Sequence, residues 1–212
     1  MTHLKSMYIG SGDVSKLLSG KETKGFQDLL RRFVSDEKPY YNAIASPIDA
    51  LRTGAILEVR YFMILPDGYF PQYAVQSTEM DIFKASIDFA KLEKGKVVDF
   101  DELKTCFFTD FVDFQPFKDA DYNTYINYIK KNYKANYNQI QQQLYVTELD
   151  EANLVFLSVF NYEDNENMKR EIQANEYIKF RIKRDEEVIE RIKERGMFFQ
   201  QIKDHFAKSN KQ

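Results

Sequence analysis

The sequence predicts a chain of the α/β (α+β) class, a central sheet flanked by helices. Five runs carry strand character: Tyr73 to Glu79, Ile82 to Lys91, Val97 to Phe107, Leu154 to Tyr162 and Tyr177 to Lys183. Between and around them, apolar residues recur at helical spacing. With 212 residues, 43% of them hydrophobic, including 14 tyrosines and 18 phenylalanines but no tryptophan, there is material for a sizeable core. Length alone favours one domain spanning 1–212, with a C-terminal amphipathic helix at about 185–208 packing on it.

In chain order, Tyr8-Ile9-Gly10-Ser11-Gly12 reads as a glycine-rich turn, with Asp13 as N-cap of a short helix turning Val14, Leu17 and Leu18 inward. A second helix places Phe26, Leu29, Leu30 and Phe33 on one face. Ser46-Pro47 is an N-cap followed by proline at the first helical position. The helix it opens shows a stripe of Ile48, Leu51, Ala55, Phe62 and Leu65, and Pro66-Asp67-Gly68 ends it. Glu58 falls on that stripe. A buried carboxylate needs compensation, so Glu58 is expected to meet a basic side chain such as Arg60, or a metal.

The stretch from Ala85 to Thr105 holds the chemistry. It reads as a hairpin with a three-residue loop Glu93-Lys94-Gly95, glycine left-handed. That loop pairs Leu92 with Lys96 and makes Asp88 and Glu102 diagonal neighbours on one face, roughly 7–8 Å apart. Lys104 then points the same way. A two-residue loop would slip the register and send Glu102 to the other face. Two carboxylates and a lysine at a hairpin end can hold magnesium with its waters, or can be the charges of an exposed hairpin. Beyond Pro116 one stripe runs Tyr122, Ile126, Ile129, Tyr133, Tyr137, Ile140 and Leu144, with Gln139 on its border. In the last helix, marked by Val188, Ile192, Phe199, Ile202 and Phe206, Gly196 marks a bend.

Composition excludes several classes. The net charge of −3 argues against a surface that grips nucleic acid everywhere, though a local basic groove remains compatible. The single cysteine, Cys106, excludes a disulfide framework, a cysteine-based zinc site and an iron–sulfur cluster. Only His3 and His205 could serve a histidine-based nucleophile, and they lie at opposite ends of the chain. No apolar run has signal-peptide or membrane-span character, so the expectation is a cytoplasmic protein without membrane contact.

Four motifs occur in a fixed order: Gly10-Ser11-Gly12-Asp13-Val14; Gly54-Ala-Ile-Leu-Glu58; Ser86-Ile87-Asp88 followed by Glu102-Leu103-Lys104; and Gln139-Ile-Gln141-Gln-Gln143-Leu-Tyr145-Val-Thr147. Together they resemble the phage lambda-type alkaline exonucleases, the YqaJ-like viral recombinase nucleases of the PD-(D/E)xK superfamily, from about Lys5 to Tyr162. The resemblance implies a restriction-endonuclease-like core with a central mixed sheet. It implies a magnesium-dependent (manganese substituting) 5′-to-3′ exonuclease on double-stranded DNA, working in phage recombination beside a single-strand annealing protein. A homo-oligomer, such as a trimeric ring, and the cytoplasm of a bacterial host belong to the same expectation.

Residue by residue, the resemblance makes Asp88 and Glu102 metal carboxylates, with the Leu103 carbonyl and Glu58 completing the set. Lys104 matches the lysine that orients the attacking water, and Gln139 the glutamine that orders the site. Lys5, Ser11 and Gly12 fall where a terminal 5′-phosphate is gripped, but many members carry arginine and serine where this chain has Lys5 and Gly12. The alternatives are a structure-specific endonuclease on the same core and a DNA-binding scaffold without turnover.

Overall fold

Strand β3 (Phe83–Glu93) is the centre to which the other elements attach in this computed structural model, which describes residues 7–35, 49–159 and 170–209. On it pair the short β1 (Ile9–Gly10), parallel, and β2 (Tyr69–Gln76), antiparallel. Beyond it lie β4 (Lys96–Phe107), β5 (Glu151–Val159) and β6 (Tyr177–Lys183). The order is β1-β3-β4-β5-β6; β4 runs antiparallel to β3 but parallel to β5, so the sheet is mixed as expected.

The hairpin differs from the sequence expectation in an informative way. Lys94 and Gly95 both have positive φ, 50° and 78°, the requirement of a two-residue type I′ turn, and Glu93 pairs with Lys96. Left alone, that register would set Glu102 opposite Ile87. Between Leu92↔Val97 and Lys91↔Asp99, however, Val98 is an extra residue on β4. This bulge advances the register by one, giving Ala90↔Phe100 and Phe89↔Asp101. The next residues out, Asp88 and Glu102, therefore face each other directly. There β4 leaves β3 and runs on beside β5, from Asp101↔Asn153 to Phe107↔Val159.

The helices are α1 (Val14–Leu17), α2 (Lys24–Val34), α3 (Asp49–Ile64), α4 (Phe108–Val112), α5 (Tyr122–Asn132), α6 (Lys134–Thr147) and α7 (Glu186–Ser209). Thr23 caps α2 by accepting from the Phe26 N–H, and Asp121 caps α5 through Asn123 and Thr124. The single stripe read from Tyr122 to Leu144 is two helices. Tyr133, at φ −125° and ψ 39°, breaks it and turns its ring onto Phe114 and Phe156.

One sheet face carries the larger core, where Phe26, Phe33, Ile140, Leu144, Ile192 and Phe199 pack with Phe83, Phe100 and Phe156. The other face is covered by α3, whose Leu57 and Tyr61 pack on Phe89, Leu103 and Val155. The buried side of α3 is therefore Ile56, Leu57 and Tyr61, whereas Leu51 and Phe62 of the expected stripe are substantially exposed. The sequence pattern misled because α3 is apolar on nearly every side. Ile48 and the Ser46-Pro47 cap lie outside the described residues. Helix α7 runs through Gly196 without interruption. A Cβ there would sit 2.4 Å from Phe83 Cζ, so the glycine lets the helix close on that ring. Among the described residues, no helix is long and apolar enough to cross a membrane.

Candidate active site

Where β3 and β4 part, the strands leave a gap edged by Asp88 on one side and residues 102–104 on the other. The Leu103 N–H donates to Asp88 Oδ2 at 2.9 Å. Because a strand residue turns its N–H and C=O to the same side, the Leu103 carbonyl faces that gap too. Glu102 is buried and heavily bonded: Oε1 accepts from Lys104 Nζ at 2.6 Å and Gln139 Nε2 at 2.5 Å, and Oε2 from Gln143 Nε2 at 2.5 Å.

Helix α6 explains why so many glutamines lie in a row. Its residues from Tyr137 to Val146 are all buried except Gln139, which is half-buried. Gln142 donates to the Ile9 and Lys84 carbonyls, and Gln143 to the Ser86 carbonyl at 3.3 Å besides Glu102. Gln141 donates to the Lys183 carbonyl and accepts from the Asp185 N–H. Uncharged side chains long enough to reach a neighbouring strand thus satisfy backbone groups that a splayed sheet leaves over. Sequence reasoning singled out Gln139; Gln143, in the same motif and one turn on, is the partner it missed.

Glu58 reaches the site from α3. Its position is fixed one turn later by Tyr61, whose hydroxyl donates to the fully buried Asp101 at 2.7 Å. Lys179 and Asn153 also bond Asp101, each at 2.7 Å. The expected partner Arg60 turns away and donates to the Arg170 carbonyl. The observed partner is Gln72, which donates to Glu58 Oε2 at 3.1 Å and accepts from Ser86 Oγ at 3.1 Å. Gln72 sits in edge strand β2 with φ 51°, a left-handed conformation costly for a side-chain-bearing residue. No pattern in the sequence marked it.

The electrostatics are those of crowded carboxylates. Burial, then the neighbouring Glu102 and Glu58, hold the Asp88 carboxyl well above the usual carboxylate range, against Lys104 and the Leu103 N–H. Burial and Glu102 likewise raise Glu58, although Gln72 and Lys104 oppose the rise. Burial alone would depress Lys104, but Glu102 and Asp88 outweigh it and raise its pKa, so its ammonium stays charged at neutral pH. Among the described residues, no three acidic, histidine or cysteine side chains close into a finished metal cage. Glu102 is occupied by Lys104 and two amides, and Asp88 by the Leu103 N–H. The donor set nonetheless suits a hard cation. Asp88 and Glu58 are crowded acids, the Leu103 carbonyl faces the gap, and the buried Gln143 Oε1 accepts no hydrogen bond from the described residues.

The terminal-phosphate residues are placed less decisively. Gly10 leads into a single 3₁₀ turn, Ser11–Asp13, in which Ser11 is buried and Gly12 exposed. Helix α1 beyond it has only four residues, too short for a macrodipole that would attract an anion. Asp13 caps nothing and instead pairs with Lys16 and Arg32. Lys5 lies outside the described residues.

No family model matches this sequence, and no curated protein does. Solved structures do. The alkaline exonuclease LHK-Exo from Laribacter hongkongensis superposes with a TM-score of 0.61 at 14% identity, over 98% of this chain and 93% of that one. The chain has the alkaline-exonuclease fold. LHK-Exo in complex with dAMP gives a TM-score of 0.59 at 17% identity, over 99% and 94%. At these identities the alkaline exonucleases share an architecture with this chain, and the chemistry has to be argued from its own residues.

Proposed function

We propose that this chain is a metal-dependent deoxyribonuclease, a 5′-to-3′ exonuclease acting on double-stranded DNA. The observation that carries the reading is the convergence of Glu58, Asp88, Glu102 and Lys104 where β3 and β4 part, on the fold of LHK-Exo, a protein also seen with dAMP. Asp88, Glu102, Glu58 and the Leu103 carbonyl would hold Mg²⁺, or Mn²⁺ in its place. When bound, the ion neutralises phosphate charge and lowers the pKa of a coordinated water.

The chain's own residues do the rest. Lys104, kept protonated, donates hydrogen bonds and so orients the attacking oxygen rather than taking its proton. Glu102 fixes the ammonium at 2.6 Å, and Gln139 and Gln143 fix Glu102. Gln72 holds Glu58 over the gap. Preference for a 5′-phosphate at the Ser11–Gly12 turn with Lys5, a ring-forming oligomer and an annealing partner belong to the same proposal.

The test incubates linear and covalently closed duplex with the protein, with Mg²⁺ or with EDTA. Metal-dependent loss of the linear form alone supports the exonuclease; attack on both forms makes it an endonuclease, and attack on neither a scaffold. Glu102→Gln and Lys104→Ala should each lower the rate at least about 100-fold, as general acid–base and positioning groups do. A folded variant within threefold of wild type refutes the site.

A further inference from the structure

At the carboxyl ends of the parallel strands β4 and β5 lies a cavity of about 270 Å³, lined by Thr53, Thr105, Cys106, Phe107, Asp110, Tyr133 and Val159. Its wall begins at Thr105, the residue after Lys104, and Cys106 lies about 7 Å further along the strand than Lys104. Crevices at the carboxyl ends of strands are where α/β sheets take ligands.

We propose that this cavity holds one nucleobase of the DNA strand whose phosphate lies at Lys104, a proposal that rests on the nuclease reading. Three features select a base over a phosphate. First, among the described residues no basic side chain lines the cavity, and Asp110 would repel an anion. Second, the walls are largely apolar and include the rings of Phe107 and Tyr133, and aromatic side chains stack on any base. Cys106 adds a neutral surface, because burial and Asp110 push its thiol up to about 12. Third, the Thr53 hydroxyl is buried and has no hydrogen-bond partner among the described residues, a group that the polar edge of a base would satisfy. The size agrees as well: drug-sized ligands fill about 300–1,000 Å³, and this space is smaller. Thr105 adds backbone groups. By strand alternation its N–H and C=O turn to the side that the Leu103 N–H faces, where no strand pairs β4 beyond Asp101 among the described residues. Readout by stacking and one hydroxyl would tolerate every base, as suits an enzyme that removes nucleotides one after another.

The test compares binding of dAMP, dCMP and 2-deoxyribose 5-phosphate, which lacks a base, to the full chain with Mg²⁺ by calorimetry. Both nucleotides should bind at least tenfold more tightly than the sugar phosphate. Cys106→Phe, which fills the cavity, should erase that difference, and Thr53→Val should shrink it, with Mn²⁺ affinity unchanged in both. Wild-type protein holding dAMP should show NMR contacts between the base protons and the Thr53 methyl group, a readout independent of either variant's folding. Equal binding of the base-free probe, absence of those contacts, or a folded Cys106→Phe that keeps the full preference overturns the proposal. Failure of the wild type to cleave duplex, with base binding retained, instead removes the nuclease reading and leaves a base-binding cavity.

Discussion

Asp88→Asn separates a metal site from an ordinary charged hairpin. The substitution keeps an oxygen that can accept from the Leu103 N–H, now bonded at 2.9 Å, so the strands should part as before. It removes a carboxyl held well above the usual range by burial and by Glu102 and Glu58. Such a carboxyl binds its proton more tightly in the folded chain than in the unfolded one. The metal-free fold is therefore most stable below the unfolded carboxylate pKa and loses stability as pH rises to the raised folded value. Within that window the loss approaches about 1.4 kcal/mol per pH unit, and above it the curve is flat. Asp88→Asn should lack this loss and, without metal at pH 8, unfold at a higher temperature than wild type. Metal reverses the ranking. A ligand at 100 times its Kd stabilises the native state by about 2.7 kcal/mol, or about 5–11 °C in Tm for a chain of this size. Melting curves with EDTA and with Mg²⁺ or Mn²⁺ should show that rise in wild type and only a small part of it in Asp88→Asn. Equal shifts in the two proteins refute a metal site at Asp88.

Gly196→Ala should destabilise the fold although it improves helix propensity. The gain of about 1 kcal/mol is set against overpacking of about 1–3 kcal/mol, because the new Cβ would lie 2.4 and 2.6 Å from two atoms of the Phe83 ring. Phe83→Leu in the same chain should restore the Tm, and an unchanged Tm in Gly196→Ala alone contradicts the close approach. Gln143→Ala should cost about 1–3 kcal/mol for the buried acceptors it strips of a donor, Glu102 Oε2 and the Ser86 carbonyl. It should also slow cleavage at least tenfold in a folded protein; denaturant titration and initial rates read the two effects separately. Gly12→Ser should fold normally, since beyond its chain neighbours no atom of the described residues lies within 4 Å of a Cβ there and its φ is not positive, and should widen any preference for 5′-phosphorylated ends. A drop in stability contradicts the first expectation, and an unchanged ratio of rates on phosphorylated and hydroxyl ends contradicts the second.

Much of the sheet was legible from apolar and β-branched runs: β6 is found at the predicted residues and β3 and β4 within two of them, whereas β2 starts four residues and β5 three residues before the predicted runs, and β1 was read as a turn. The register of the hairpin was not. Lys94-Gly95 signals a turn, but whether two or three residues form it, and whether Val98 bulges, depends on how β4 must leave β3 to join β5. The two departures from the assumed three-residue loop each move the register by one in the same direction, so Glu102 returns to the face of Asp88 and lies opposite it rather than diagonal to it. Helix α3 was misread because its exposed side carries Leu51, Val59, Phe62 and Met63, leaving little periodicity to follow. Gln72 was invisible for a different reason. Its role comes from a backbone conformation, φ 51°, that no local composition announces.

The row of glutamines on α6 makes that helix a surrogate strand. Its amides take the carbonyls of Ile9, Lys84 and Ser86 that a continuing ladder would have claimed. A gap between two strands is ordinarily an invitation to zip shut or to admit a foreign edge. Here it is held apart by side chains that add no charge, so whatever enters meets the acids and the lysine undiluted. Those positions should therefore be governed by reach and hydrogen-bonding capacity rather than by volume. An isosteric methionine would fit the space and still let the cleft close, and a glutamate would keep the reach while adding a further negative charge to a crowded site.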